Sequence, residues 1–424
     1  MTLSLIIITA CNTNTTTNEA VIEQEAIEEI VQEISVVINE PELLSSGRTR
    51  EAYLEDLDYL YYILRYNFPF FGVIYRRAEV DLHQIFEDTR LQVETQDDIL
   101  HFNSILRNNI FRPARGMGHL QLVDEDFARG LLAIYGSLTA LGHSELAIYV
   151  EAFDNPASRL FYNLSDEDFN FDAVTEESFQ SEHSGNIRTN IIEEGRIAYV
   201  NIRGMNSRTT TVDQSTLLDF FAQVTDYEHL IIDIRGNPGG SSGFFPLLVM
   251  APIISQPLEY RHYFFSSAHQ HNMHFLYPRD IDFRQIDEAL IERLLYINHD
   301  DLSALDLYFP LSNTIYPSGE AVFGGKIWLL VNEQNFSASE YAAAIANQTG
   351  FATLVGQTTG GDGIGMDPSL ITLPNTGIVI RYSTIYGTDN MGRNNQEFGT
   401  EPHIFNMEGM DALETVLMVI EAEW

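Results

Sequence analysis

From residue 196 onward, short apolar runs alternate with segments whose apolar positions recur every three or four residues. The runs at 197–202, 229–235, 258–265, 326–332 and 352–355 each predict a strand. Between and after them, 214–224, 244–254, 337–349 and 407–423 predict helices, and 370–373 with 377–382 predicts a hairpin. Such alternation predicts an α/β layer domain built from short ββα units. Upstream, helical spacing over 51–67, 80–93 and 97–108 predicts a small helical domain. It ends near Arg115-Gly-Met-Gly-His-Leu-Gln-Leu122, where the pattern turns toward a strand. Residues 127–141 read as one helix, and the acidic, aromatic stretch that follows to about 190 has no clear period.

The pattern divides the chain into a polar tether at 12–46, a helical domain at 47–122, a connecting region at 123–194 and a core domain at 195–424. Ahead of the tether, Leu3-Ser-Leu-Ile-Ile-Ile-Thr-Ala-Cys11 is an apolar run that ends in small residues at a cysteine. It resembles the lipobox of a bacterial lipoprotein signal. That resemblance implies a signal peptide at 1–11, lipidation of Cys11 and an extracytoplasmic protein tied to the membrane by lipid alone.

Charge then removes one class of function. The 424 residues carry a net charge of −38, and phosphate binding needs a basic face, so a nucleic-acid partner is excluded. Cys11 is the only cysteine, which excludes a disulfide framework and a thiolate metal site. Lysine occurs once, at Lys326.

Two segments carry chemistry. In Leu230-Ile-Ile-Asp-Ile-Arg-Gly-Asn-Pro-Gly-Gly240 a strand runs into a glycine loop that offers bare backbone N–H groups. In Asn335-Phe-Ser-Ala-Ser-Glu340 a serine stands at a helix start, where the helix dipole stabilises a developing oxyanion. Ser337-Ala-Ser-Glu340 also spells a capping box, in which serine and glutamate do no more than satisfy free N–H groups.

Together these segments resemble the tail-specific, or C-terminal-processing, serine peptidases and their tricorn-core relatives. Gly356-Gln-Thr-Thr-Gly-Gly361 and Gly399-Thr-Glu-Pro-His403 extend the resemblance, which covers 195–424 well and 47–122 loosely. It implies a crotonase-like spiral α/β core behind a small N-terminal helical domain, a peptide or protein substrate, and no cofactor. It makes Ser337 the nucleophile, with an oxyanion hole from Ala338 and from Gly239 or Gly240. The tail-specific branch carries a lysine base about 25 residues after the nucleophile, and here Asp362 stands there. Lys326 precedes the strand leading to Ser337, too far along an extended chain to serve. The tricorn-type branch uses a histidine instead, which implies His119 as general base. Glu397 would orient it, with Glu401 the nearest competitor. No glycine-led loop of a peptide-tail-binding PDZ insert is legible.

Other readings stay open. His269, His271 and His274 lie within six residues and could form a metal site, but a mobile active-site loop fits them better. Gly239-Gly-Ser-Ser-Gly243 matches a nucleophile elbow around Ser241, which would make the chain an esterase. A non-catalytic peptide- or ligand-binding lipoprotein on a peptidase scaffold is the third reading.

Overall fold

The computed structural model describes residues 49–95, 99–279, 281–319 and 321–422; Cys11 and the 12–46 segment lie outside them. Helices α1 (Arg50–Asn67), α2 (Phe71–Ala78), α3 (Leu82–Val93) and α4 (Ile99–Leu106) open the chain. Thr49 caps α1 by accepting from the Ala52 N–H, and Asp81 caps α3 by accepting from His83 and Gln84. Their apolar stripe is not a closed core. Tyr53, Leu57, Leu60 and Leu64 share one buried cluster with Ile371, Ile380 and Tyr382 of a downstream hairpin.

Strand β1 (Gln121–Leu122) joins that hairpin, formed by β10 (Ser369–Thr372) and β11 (Val379–Tyr382), as its third strand. Gln121 pairs antiparallel with Arg381. Helix α5 (Glu125–Ala140) follows β1 and is capped by Asp124.

The central sheet has the order β13-β9-β8-β4-β3-β2. In chain order these strands are β2 (Ile187–Glu193), β3 (Ile197–Ile202), β4 (His229–Asp233), β8 (Lys326–Val331), β9 (Thr353–Gly356) and β13 (Ile404–Phe405). All neighbours pair parallel except β2 with β3. A parallel sheet is covered on both faces, which is why β4 and β8 read as unbroken apolar runs. Leu230, Ile232, Leu329 and Val331 pack with α6 (Thr210–Gln223) and α7 (Ala338–Thr349). Alanines at 338, 342, 343 and 346 let α7 lie close on the sheet. Ile231, Trp328 and Leu330 point the other way, against Val416 and Ile420 of α8 (Ala412–Ala422). Burying each large aliphatic side chain of this kind contributes about 1.5–3 kcal/mol.

A second sheet, β12-β5-β7-β6, leans on α7. It contains β5 (Leu258–Ser266), β6 (Arg284–Gln285), β7 (Leu307–Ile315) and β12 (Tyr386–Thr388). Of these the periodicity predicts only β5. β2 was likewise hidden, since its faces are all partly exposed and no alternation marks it. The expected helix at 244–254 is a π-helical turn, Phe245–Met250, that runs into a short α-helical one.

His262 of β5 is 1% exposed, and its Nδ1 has no hydrogen-bond partner among the described residues. Burial pulls its pKa down to about 3, against about 6.5 for a free histidine. The folded value lies below the unfolded one, so this contribution to stability is whole above pH 6.5. It is lost as pH falls toward 3, at about 1.4 kcal/mol per pH unit. Urea-unfolding midpoints should therefore drop between pH 6.5 and 4, with a shallower drop in His262→Phe. Equal slopes in the two proteins would refute this.

Candidate active site

Five residues separate the end of β8 from Ser337. Asn335 ties this turn down, accepting from the Asn332 N–H at 2.7 Å and donating to the Ile234 carbonyl at the end of the neighbouring strand. Ser337 sits at φ 57°, ψ −128° and makes no side-chain capping bond. The capping box does not form. The Phe336 N–H goes instead to Ser339 Oγ at 3.0 Å, and Glu340 turns inward to Asn395 and Thr400 at 2.7 and 2.6 Å. Burial raises the Glu340 carboxyl, against hydrogen bonds from Thr359, Thr400, Asn395 and Gly361. Ser337 Oγ is left to face His119, whose Nε2 is 3.2 Å away.

His119 reaches it from a different part of the chain. The turn before β1 runs through left-handed Arg115, Gly116, Gly118 and His119, with φ between 51° and 70°. Only glycine fits at 118, because a Cβ there would lie 2.5 Å from the rings of both Phe68 and Phe70. Beyond the turn, β1–β11 pairing and a 2.7 Å bond from the Ser383 N–H to the Gly118 carbonyl fix the position. The imidazole packs on the Phe336 ring, 4.8 Å between centroids.

The carboxylate beside His119 belongs to Asp362. Its Oδ2 approaches His119 Nδ1 to 2.6 Å, and the two side chains are 3% and 8% exposed. The approach is short but is not aligned as a full hydrogen bond, so neither atom has a hydrogen-bond partner among the described residues. Catalytic hydrogen bonds commonly reach full alignment only with substrate bound. Asp362 is brought here by a parallel bridge between Gly361 and Phe336, one residue from Asp362 and Ser337 respectively. Ser337, His119 and Asp362 are three of the six non-glycine residues at positive φ among the described residues, so backbone strain concentrates at this site.

Glu397, the expected orienting acid, is engaged by a different partner. Its carboxylate is held bidentately by Arg76 of α2, at 2.6 and 2.7 Å, and Arg76 also grips Asp301. The guanidinium fork takes one bond to each oxygen, and no contact between Glu397 and His119 is found among the described residues. Glu401 is exposed on the same loop. Asp362 occupied the position where a lysine was expected, and that substitution was the available signal.

The glycine loop closes the site. Gly239 and Gly240 stand at φ 102° and 135°. A Cβ at Gly239 would be 2.7 Å from the Phe336 carbonyl and 2.8 Å from the Ala338 N, so the two loops are in backbone contact. The Gly239 N–H is donated to Asn237 Oδ1 at 2.8 Å, which removes it from the candidate oxyanion donors. Met205 takes the flanking bonds, donating to the Gly239 carbonyl at 2.9 Å and accepting from the Ser241 N–H. The amides of Gly240 and Ala338 stay without a partner among the described residues. A polar cleft of about 610 Å³ lies beside this loop, lined by Asn186, Asn201, Arg203, Asn206, Arg235 and Gly236 among others.

The remaining candidates lie elsewhere. Ser241 falls in the turn after Gly240, its carbonyl accepting from the Phe244 N–H, while the imidazole faces Ser337. The histidine-rich stretch is not a mobile loop but a short helix, Gln270–Leu276, whose N-cap His269 bonds Asn67 at 3.0 Å and Tyr62 at 3.1 Å. Lys326 lies over the Trp328 ring at the far end of β8. Among the described residues no helix is long and apolar enough to cross a membrane.

Comparison with known proteins agrees with this architecture. The sequence of residues 196–405 matches peptidase family S41. Among solved structures, a Parabacteroides merdae protein described as a peptidase superposes with a TM-score of 0.52 at 17% identity, over 89% of this chain and 97% of that one. Mature CPAF bound to lactacystin gives 0.51 at 16%, over 84% and 94%. Mature CPAF alone gives 0.51 at 14%, over 84% and 92%. No curated protein sequence matches the chain significantly. The chain belongs to peptidase family S41, and it is a serine peptidase with a crotonase-like α/β core.

Proposed function

We propose that this peptidase cleaves peptide bonds with Ser337 as nucleophile, His119 as general base and Asp362 as the acid that orients it. The observation that carries the reading is the chain of contacts from Ser337 Oγ through His119 to Asp362, at 3.2 and 2.6 Å. With its proton on Nδ1, the imidazole accepts the serine proton at Nε2 as Oγ attacks the carbonyl carbon. Asp362 then stabilises the imidazolium, which returns the proton to the leaving amine. The Gly240 and Ala338 amides receive the oxyanion, Ala338 from the positive end of α7. Peptide or protein substrates follow from this chemistry, and no cofactor takes part in it. Lipidation at Cys11 would hold the enzyme on the outer face of the bacterial membrane, a reading supported by the lipobox-like run alone.

The test is a fluorophosphonate probe on the purified protein lacking residues 1–11. The adduct should map to the peptide containing Ser337 and disappear in Ser337→Ala. Labelling that survives Ser337→Ala would move the nucleophile, with Ser241 next in line.

A further inference from the structure

Gln396 touches both turns on which the base and its carboxylate depend. It is 2% exposed. Its Oε1 accepts from the Gly118 N–H at 2.8 Å, one residue before His119. Its backbone lies against Gly361, one residue before Asp362, where a Cβ would come within 2.9 Å of the Gln396 carbonyl oxygen. That carbonyl also accepts from Arg77 Nη1 at 2.6 Å, and the same nitrogen reaches the Gly360 carbonyl at 3.3 Å. The flanking residues reinforce the joint. Asn395 Oδ1 accepts from the N–H groups of Gly363 and Ile364, and Glu397 is clamped by Arg76.

Three buried polar atoms around this joint have no hydrogen-bond partner among the described residues: Gln396 Nε2, His119 Nδ1 and Asp362 Oδ2. Two of them, His119 Nδ1 and Asp362 Oδ2, already face each other at 2.6 Å, and buried polar atoms are nearly always paired, so what a contact at this joint can set is their alignment. Asp362 and Glu340 from the core, Glu397 from the helical turn Asn395–Phe398, Arg76 and Arg77 from α2, and Asp301 against Arg76 are charged groups of this region.

We propose that Gln396 is a positioning residue that sets the placement of His119 relative to Asp362, through the Gly118 amide and the Gly361 backbone. This rests on the Ser337–His119–Asp362 reading. An amide at 396 holds the turn without adding negative charge, so Asp362 remains the carboxylate that acts on the imidazole.

The experiment compares wild type, Gln396→Glu and Gln396→Ala by NMR titration of the His119 imidazole, assigned by its loss in His119→Asn, together with peptide turnover. Gln396→Glu keeps an acceptor for the Gly118 N–H and, once ionised, adds a negative charge beside the residue that precedes His119. Its His119 titration should move up by roughly one pH unit, carrying the acidic limb of kcat/KM with it. Gln396→Ala should lower kcat by roughly 10- to 100-fold with KM within about twofold, the signature of lost alignment. An unmoved His119 titration in Gln396→Glu overturns the proposal, as does a kcat in Gln396→Ala within about twofold of wild type. Should the alanine variant fail to fold, the glutamate titration decides alone. The titration needs no turnover, so it also separates failure of this proposal from failure of the serine-nucleophile reading, which probe labelling tests.

Discussion

Ser337→Ala should fold normally and lose on the order of 10⁶ in kcat, with His119→Ala losing a similar amount and the double variant losing no more than either. The effects merge because the two side chains make one device: serine without a base is a weak nucleophile, and the base has no other proton to take. Their 3.2 Å contact is the physical reason for expecting this. The substitution removes one hydroxyl from a half-buried position that makes no capping bond, so stability should barely move. Steady-state hydrolysis of a quenched fluorescent peptide library, alongside thermal melts of all four proteins, checks this. Losses that multiply in the double variant would show that serine and histidine act independently, and would count against the mechanism.

The second large effect separates two carboxylates. Asp362→Asn should lower kcat by about 10³–10⁴-fold, because an amide neither stabilises the imidazolium nor reliably selects the Nδ1–H tautomer. Glu397→Gln should cost less than about tenfold, since its carboxylate serves Arg76, an anchor that Asp301 shares. Measuring kcat and probe-labelling rates for both variants decides the matter. Were Glu397→Gln the more damaging, the orienting role would return to Glu397.

The site was legible in the sequence wherever a residue's function depends on its immediate neighbours. Ser337 stands at the junction of an apolar strand and an alanine-rich helix, and Gly239 and Gly240 lie in the glycine loop that follows β4, so local pattern marks them as candidates. His119 was found only through family resemblance, since a turn of Gly-Met-Gly-His shows nothing about what the imidazole meets 218 residues later. Asp362, the acid proposed here, was not singled out because position along the chain stood in for position in space. Glu397 is close to the expected motif, yet Arg76, from a helix whose partner no periodicity reveals, claims it. Asp362 depends on the Phe336–Gly361 bridge, a backbone pairing outside any regular strand. In the fold, the strands of the buried parallel sheet showed themselves as apolar runs. The half-exposed β2 and the non-local pairing of β5 with β7 left no such mark.

The left-handed backbone at the site has a consequence for temperature. Holding Ser337, His119 and Asp362 at positive φ costs on the order of 1–2 kcal/mol each, against a total stability of about 5–15 kcal/mol for a typical domain. These turns keep their shape only while Phe68, Phe70, Gly361 and the 394–400 loop press on them. Where those contacts loosen before the parallel sheet comes apart, each turn relaxes to an ordinary conformation. Heat would then silence this enzyme by letting three residues rest while the rest of the molecule is still folded, and cooling would wake it again.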